Sequence, residues 1–464
     1  MGKHDFEGET LNRREETAFF LKKGIIIAFP VMLQNLIIVG LNIVDSVMIG
    51  SLGEMPLAAV GSANQVYLIY SEICFGMFSG AGVFVAQFWG IKDIKTIRKV
   101  LGIDYVVGFF SAFAMIAVIH FTAPHIIWLF TKEPEVIALG TEYLQIVKWS
   151  YIFSGFSFCI GFNCRALEKL AVPTTISAVA VGINTFLNWV LIYGHFGAPA
   201  LGVKGAAIAT LVARVCEFAA LLIYLYVVKS HPLKASPKEL FAFDHNMVKD
   251  VFKMALPVSV TEVGWAISMS LMYVAYGKIS YEALAVVQVA EVVTCFFQCV
   301  YFGLGNAASI IIGGCLGRAE RARALYFAKM SMHITWILNI ILTILLLSAR
   351  YKIAEFYNFS PETNELLIAS LTVWAFTMTP KMVVYVLICG VLRAGGDTVF
   401  AMAVDFAGNA GEVILAFTAV LVLGLDLPRT VIFVFSAEAV KAIICYFRLY
   451  SNKWMNTITV KNYD

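Results

Sequence analysis

The sequence has little charge and few polar stretches long enough to form a soluble domain. Only 14% of its 464 residues are charged, whereas 60% are hydrophobic, and the formal net charge is +3. Soluble domains typically have about 25% charged and 45–50% apolar residues. One soluble core cannot bury this excess, so we expect an all-α polytopic membrane protein. The small net charge gives no indication of a nucleic-acid partner.

Signatures of catalysis, metal binding and nucleotide binding are also missing from the sequence. The nine cysteines form no CxxC or Cys/His metal spacing, and the seven histidines are scattered. The stretch "LRAGGD" at 392–397 lacks the GxxxxGK[ST] pattern of a phosphate-binding loop. No signal peptide is apparent, because the first 18 residues are polar and the first apolar run is too long. We expect no enzyme activity, no cofactor and no metal site.

Apolar runs of membrane-spanning length are abundant. A spanning helix needs about 20 mostly apolar residues. On this criterion the sequence predicts twelve spans, at about 20–44, 56–86, 100–121, 140–163, 172–194, 204–228, 250–275, 283–312, 328–348, 367–390, 398–423 and 429–450.

Lysine and arginine predict the orientation. The two termini and the loops on their side hold 24 of the 34 basic residues, and the opposite loops hold six. Cytoplasmic loops carry the excess of Lys and Arg, so we expect both termini in the cytoplasm and the chain in the cytoplasmic (plasma) membrane. The predicted parts are a tail at 1–19, an amino lobe at 20–228, a linker at 229–249, a carboxyl lobe at 250–450 and a tail at 451–464.

The two halves of the chain repeat each other at an offset of 227 residues. Pro30 then aligns with Pro257, Gly90 with Gly317 and Arg214 with Lys441, and "LAAV" at 57–60 aligns with "LAVV" at 284–287. Six spans per half preserve orientation, so the halves are predicted to be related by an axis along the membrane normal. Parallel duplication of this kind is typical of transporters with a site near the bilayer midplane.

Four stretches carry a resemblance to a known family. They are "FPVMLQNLIIVGLNIVDSVMIGSLGEMPLAAVG", "NTFLNWVLIYGHFGAPALGVKGAAIAT", "ALPVSVTEVGWAISMS" and "GVLRAGGDT". In this order they resemble the multidrug and toxic compound extrusion (MATE) family of secondary efflux transporters. The resemblance implies two six-helix lobes in a V shape, coupling to protons or sodium, and export of amphiphilic, often cationic, compounds.

Asp45 is the main candidate in the amino lobe. It stands in the apolar run "LNIVDSVMIG", where a charge costs a few kcal/mol at least. By resemblance, the acid of this "VD" motif belongs to the cation and proton site of the lobe. The alternative is that Asp45 caps a helix or forms a pair near the outer interface.

Four further residues complete this candidate site. Asn184 and Asn188 lie one helical turn apart and face the same way. Some family members carry Asn and Asp at these two places, so Asn188 weakens the case for sodium binding, although amide oxygens suit a hard cation. Thr210 and Tyr143 join the site by resemblance, and Tyr143 is equally well interpreted as an interfacial anchor.

The carboxyl lobe has its own candidates. The family often has an acid at the position of Glu262, and Trp265 one turn later offers an aromatic face for an organic cation, although such a Trp more often faces lipid or core. Lys381 stands where many members carry a carboxylate. A buried lysine needs a partner, and Glu262 and Asp405 are the candidates by position. Such a pair either exchanges protons during transport or is structural.

Local charge pairs and helix kinks are the remaining candidate features. Arg214 with Glu217 and Glu438 with Lys441 are each three residues apart, which predicts structural pairs that make buried charge tolerable. Pro30 and Pro257 lie mid-span and predict kinks. By resemblance Pro30 is a hinge at which the first helix bends on protonation; the alternative is that both kinks serve packing.

These observations favour an ion-coupled antiporter over two alternatives. A flippase for a lipid-linked precursor needs a cationic cavity, for which Lys381 is the obvious buried base. A receptor or channel is disfavoured by the duplication and by acids in both halves. The expected partners are a small-molecule substrate, an organic cation, and the lipid bilayer, with H+ favoured over Na+ as the coupling ion. We expect the chain to act as a monomer.

Overall fold

The computed structural model describes residues 13–130, 133–227, 231–357 and 359–456. Within these ranges the chain is almost entirely helical. The α-helices, in order, are α1 Arg13–Gly50, α2 Glu54–Gly90, α3 Ile94–Phe130, α4 Pro134–Val147, α5 Ser150–Ala166, α6 Ala171–Tyr193, α7 Val203–Val227, α8 Pro237–Leu240, α9 His245–Gly277, α10 Tyr281–Gly317, α11 Arg321–Tyr357, α12 Pro361–Tyr385, α13 Thr398–Phe417 and α14 Leu427–Tyr450. Two π-helical segments, Val386–Leu392 and Thr418–Val422, extend α12 and α13.

The prediction of twelve spans is confirmed, with one correction. Eleven helices in the described ranges are long and apolar enough to cross a membrane. The remaining predicted span, 140–163, falls on α4 and α5, which have 14 and 17 residues. They are separated at Lys148 and Trp149, where Tyr151 N donates to Lys148 O at 3.2 Å. This i→i+3 hydrogen bond tightens the turn and interrupts the α-helix without breaking the span.

The chain forms two compact units. The amino unit contains Leu33–Val85 and Lys92–Ser259. The carboxyl unit contains the described residues up to Met32, the segment Ala86–Ile91 and the described residues from Val260 onwards. The units differ from the predicted lobes because α1, α9 and the end of α2 contribute to both. Of these, α1 and α9 change unit at equivalent places of the repeat. These two helices change unit after Met32 and Ser259, 227 residues apart, and two residues beyond Pro30 and Pro257.

In the amino unit, the linker that follows α7 packs on the start of α3. Arg98 Nε donates to Pro232 O at 3.1 Å, and Arg98 also pairs with Glu239 on α8. A Cβ atom on Gly102 would lie 1.9 Å from Leu240 O, so only glycine allows this approach. The linker is therefore a docked part of the amino unit.

In the carboxyl unit, the first part of α1 packs on α11. Arg323 Nε donates to Glu16 Oε2 at 2.8 Å, and the hydroxyls of Thr17 and Tyr326 lie 2.7 Å apart. The segment after α14 docks as well: Trp454 is fully buried, and a Cβ atom on Gly395 would lie 2.0 Å from Trp454 O. Both polar ends of the unit are therefore fixed by side-chain contacts.

Candidate functional site

Asp45 on α1 is held by two asparagine amides from α6. Asn188 Nδ2 donates to Asp45 Oδ1 at 2.9 Å. With its amide nitrogen facing Asp45, Asn184 donates to Asp45 Oδ2 at 2.9 Å, and its oxygen accepts from Thr210 N at 3.2 Å. This orientation satisfies both groups of the Asn184 amide. Both carboxylate oxygens of Asp45 therefore accept a hydrogen bond.

Helix geometry explains why these side chains meet. Asn184 and Asn188 are one turn apart and buried, so they lie on the same face of α6. Helix α7 packs along α6 and brings Thr210 to the site. Tyr143 on α4 is buried with its hydroxyl close to Thr210. The five candidate residues of the amino lobe are thus brought together in one unit.

One polar atom of this site has no protein partner. Asn188 Oδ1 is buried and accepts no hydrogen bond from the described residues. A buried unsatisfied acceptor is costly, about 1–3 kcal/mol, and therefore calls for an explanation. The unsatisfied Asn188 oxygen belongs to the same amide group whose nitrogen donates to the Asp45 carboxylate.

The predicted pair of Arg214 and Glu217 is confirmed next to this site. Arg214 Nη1 lies 2.8 Å from Glu217 Oε2, and Ser177 Oγ donates to Glu217 Oε1 at 2.7 Å. The guanidinium also lies 5.8 Å from the ring centroid of Tyr67. The positive and negative charges of this pair cancel, and the Ser177 hydroxyl satisfies the second carboxylate oxygen.

In the carboxyl unit, Glu262 pairs with Arg393. Arg393 Nη2 lies 2.8 Å from Glu262 Oε1, and the two side chains are 5% and 14% exposed. The π-helical segment Val386–Leu392 directly precedes Arg393, whose N–H donates to Ile388 O at 3.0 Å, an i→i−5 bond. Segments of this kind are common at functional sites, and here one sets the direction of Arg393.

Sequence reasoning missed Arg393 because it counted this residue among the loop bases. The available signal was its place in "GVLRAGGDT", one of the four stretches that carry the family resemblance.

The predicted pairing of Lys381 with Glu262 or Asp405 is wrong. Among the described residues, Lys381 makes no ion pair with either acid, since these pair with Arg393 and Lys441. The Lys381 ammonium lies instead 5.9 Å from the ring centroid of Phe435 on α14. Both predicted acids do form ion pairs, but with Arg393 and Lys441 rather than with Lys381.

Asp405 belongs to a second buried group, which we call the Lys441 cluster. Lys441 Nζ lies 3.2 Å from Asp405 Oδ1, 3.2 Å from Glu412 Oε1 and 3.0 Å from Glu438 Oε1. It also donates to Asn409 Oδ1 at 2.9 Å. The predicted Glu438–Lys441 pair is confirmed. Asp405, Asn409 and Glu412 recur at i, i+4 and i+7, a spacing that places them on one face of α13 and that predicts such a cluster.

The other predicted residues occupy simpler positions. Trp265 is partly buried on α9, one turn after Glu262. Pro30 and Pro257 lie inside α1 and α9, which both continue through them.

Sequence reasoning also missed Asp104, a buried acid on α3 that accepts from Asn163 Nδ2 at 2.7 Å. Its signal was the same as that of Asp45, an acid within an apolar run. The described residues contain no group of three or more His, Cys, Asp or Glu arranged to hold a metal ion.

Comparisons with known proteins agree with this architecture. The chain is 28% identical over 339 residues to a probable multidrug resistance protein NorM of Bradyrhizobium diazoefficiens, covering 71% of each chain. It is 24% identical over 462 residues to the uncharacterized transporter YisQ of Bacillus subtilis, covering 97% of this chain and 98% of the relative. The structure of a MOP superfamily transporter from Pyrococcus furiosus matches with a TM-score of 0.82 at 18% identity, over 93% of this chain and 96% of that chain.

The family assignment follows from a sequence profile that covers most of the chain. The MatE profile matches residues 30–190 and 257–440. The two matches begin at Pro30 and Pro257, at the 227-residue offset of the internal repeat. The chain is thus a multi-pass membrane transporter and belongs to the MatE family, the multidrug and toxic compound extrusion transporters.

Proposed function

We propose that this protein is a proton-coupled antiporter that exports amphiphilic, often cationic, compounds across the cytoplasmic membrane by alternating access. The names of the multidrug resistance relatives support drug export as the activity. The excess of basic residues on one side supports an orientation with both termini in the cytoplasm. We propose the monomer as the transporting species.

The observation that carries the proposal is the environment of Asp45. This carboxyl group lies in an apolar helix and contacts two neutral amides, without a basic group in ion-pair contact among the described residues. Acids inside membrane segments are rare and mark ion or proton pathways. Asp45 therefore holds its proton in one stage of transport and exchanges it in another, with the amides stabilising the charged form.

The donors around Asp45 support H+ rather than Na+ as the coupling ion. A bound cation requires oxygen ligands that face it. Here the amide nitrogens of Asn188 and Asn184 face the two carboxylate oxygens and occupy the directions in which a cation would bind. A proton needs only one of these oxygens.

Helix α1 offers a physical link from protonation to movement. Its first part is fixed in the carboxyl unit by Glu16 and Thr17, and its second part carries Asp45 in the amino unit. Pro30 lies two residues before the change of unit and removes one helical hydrogen bond there. We propose Pro30, and Pro257 at the equivalent place in α9, as the hinges at which these helices bend.

For the substrate, we propose the aromatic face of Trp265 as a contact for an organic cation. The flippase alternative needs unneutralised basic groups to hold a pyrophosphate. Arg393 and Lys441 are instead paired with carboxylates, which leaves the partly buried Lys381 as the one candidate among the bases discussed above. The observed pairing therefore favours the cation exporter.

The proposal is tested with the purified full-length protein in liposomes. A labelled lipophilic cation, such as tetraphenylphosphonium, is transported under an imposed proton gradient or an imposed sodium gradient, each applied alone. We expect transport against the cation gradient with protons and little response to sodium. Strict dependence on sodium at a fixed proton gradient would contradict the proposal.

A further inference from the structure

The Lys441 cluster holds more acid than base. Three carboxyl groups, from Asp405, Glu412 and Glu438, lie within 3.2 Å of one ammonium group. Lys441, Glu412 and Glu438 are each more than nine-tenths buried. If every acid were ionised, the cluster would carry a net charge of −2 inside the protein. Burying uncompensated charge costs several kcal/mol per ion, so the acids must retain protons or find other bases.

The surroundings do not supply enough base. Among the residues that the structure describes, the titratable and charged groups that face the cluster or its immediate neighbours are Glu262 and Tyr276 on α9, Glu291 and Tyr301 on α10, Lys381 on α12, Cys389 and Arg393 at the π-helical segment, and Cys445 on α14. Together with the cluster this makes five acids and three bases. Arg393 is already paired with Glu262, and the charge of Lys381 also acts on Glu291. The excess of acid over base therefore remains within the cluster.

A second observation locates the bound proton. Glu438 Oε2 is a buried oxygen without a hydrogen-bond partner among the described residues, and Glu412 Oε1 accepts no well-aligned hydrogen bond although Lys441 Nζ lies 3.2 Å away. The two carboxyl groups lie against the same ammonium group, at 3.2 Å and 3.0 Å from Lys441 Nζ. Two ionised carboxylates held this way repel one another and offer no donor to the unpartnered oxygens, so one of them must carry a proton.

We propose that Glu412 and Glu438 share one bound proton beside Lys441, which gives the carboxyl unit a proton site of its own, separate from Asp45. The O–H of one acid donates to the carboxylate oxygen of the other. Lys441 offsets one of the two charges that remain, so the shared proton lowers the net charge of the cluster from −2 to −1. The existence of this site does not depend on transport. Its use as a second coupling site rests on the proposed proton-coupled antiport.

The amino unit provides the contrast that makes this arrangement specific. Arg214 aligns with Lys441 in the repeat, and within the described part of the chain it forms one ion pair, with Glu217. Ser177 satisfies the second oxygen of that acid. The equivalent base thus forms an ion pair with one acid in the amino unit and with three in the carboxyl unit.

Infrared difference spectroscopy tests the site directly in the purified full-length protein. A protonated carboxyl group has a C=O stretching band that a carboxylate lacks. We expect Glu412→Gln and Glu438→Gln each to lose one such band relative to wild type, whereas Glu262→Gln, at a pair with one acid and one base, keeps it. If neither Glu412→Gln nor Glu438→Gln alters the protonated-acid bands, the proposal is wrong.

Thermal unfolding gives an independent readout. Glutamine resembles a protonated glutamate, so Glu412→Gln and Glu438→Gln should keep the melting temperature of wild type or raise it. Glu262→Gln should lower the melting temperature, because it leaves Arg393 unpaired. Equal losses in all three variants would overturn the proposal. Neither readout requires substrate, so a failure here is distinguishable from a failure of proton-coupled transport.

Discussion

The amide nitrogen of Asn188 lies 2.9 Å from Oδ1 of Asp45 and joins α6 to the second part of α1. The same amide leaves its own oxygen unsatisfied. A neutral donor stabilises the carboxylate without cancelling its charge. The proton affinity of Asp45 therefore depends on a contact that a small displacement of α1 relative to α6 would break.

Asn188→Ala should move the pH dependence of transport to higher pH. Removing a hydrogen bond to a charged group costs that charged form about 1.5–3 kcal/mol. At about 1.4 kcal/mol per pH unit, this corresponds to a shift of about one to two pH units. Transport measured in liposomes over a pH series checks it.

The matched control for Asn188→Ala is Thr175→Ala on the same helix. The Thr175 hydroxyl is exposed and bonds only to Ala171 O of its own helix, at 2.9 Å. This variant should keep the wild-type pH profile. An unshifted profile in Asn188→Ala would remove the amide from the proton site.

Glu262 and Arg393 should be energetically coupled. Arg393→Ala leaves a buried acid unpaired, which commonly costs 3–5 kcal/mol. Adding Glu262→Gln should recover much of that loss, because no uncompensated charge remains. Thermal unfolding of the two single variants and the double variant measures the coupling, which is non-additive for residues in contact.

A second double-mutant cycle tests Lys381, instead of Arg393, against Glu262. Lys381→Ala and Glu262→Gln should be additive, since their side chains form no ion pair. Coupling of Glu262 to Lys381 and not to Arg393 would restore the pairing expected from the sequence and contradict the observed one.

Gly408→Ala should disturb the Lys441 cluster. A Cβ atom at Gly408 would lie 2.1 Å from Cδ of Lys441 and within 3 Å of its Cγ and Cε, so the whole side chain must move. Overpacking typically costs about 1–3 kcal/mol.

The matched control is Gly411, one turn later on α13, which has no atom within 4 Å of its Cβ position. Gly411→Ala should therefore be neutral or stabilise the helix by about 0.5–1 kcal/mol. Thermal unfolding compares the two, and equal effects would contradict the observed close approach.

His231, in the linker that packs on the amino unit, should make stability depend on pH. Burial and the nearby Lys169 lower the pKa of His231 from its ordinary 6.5 to about 4. The unfolded chain then binds a proton that the folded chain refuses. The stabilising contribution is full above about pH 6.5 and is lost as the pH falls towards about 4.

The measurement is the melting temperature between about pH 7 and about pH 5. It should fall less in His231→Gln than in wild type. The exposed His245 provides the control, because His245→Gln should follow wild type. A parallel decline in all three proteins would show that His231 does not contribute.

The sequence predicted what local periodicity determines. Twelve spans, the 227-residue repeat and the shared face of Asn184 and Asn188 all follow from spacing along the chain. Ion-pair partners do not, because they depend on the register of one helix against another. Sequence position alone therefore predicts Glu262 or Asp405 as the partner of Lys381, and the π-helical turn that directs Arg393 to Glu262 has no clear signature in composition.

The sequence also does not predict that α1 and α9 each pass from one compact unit to the other. A polar linker at 229–249 predicts a boundary there, whereas the packing of Glu16 and Thr17 depends on side chains of α11 more than 300 residues away. Only the paired prolines at the repeat offset pointed to these positions, and they indicated kinks rather than a division.

The central claim is that Asp45 exchanges a proton during transport, and Asp45→Asn tests it most directly. The measurement is uptake of a labelled lipophilic cation into liposomes under an imposed proton gradient, beside wild type reconstituted at equal density. The account predicts that Asp45→Asn folds with near wild-type thermal stability and loses the response to the gradient. An undiminished response to the proton gradient in Asp45→Asn would contradict it.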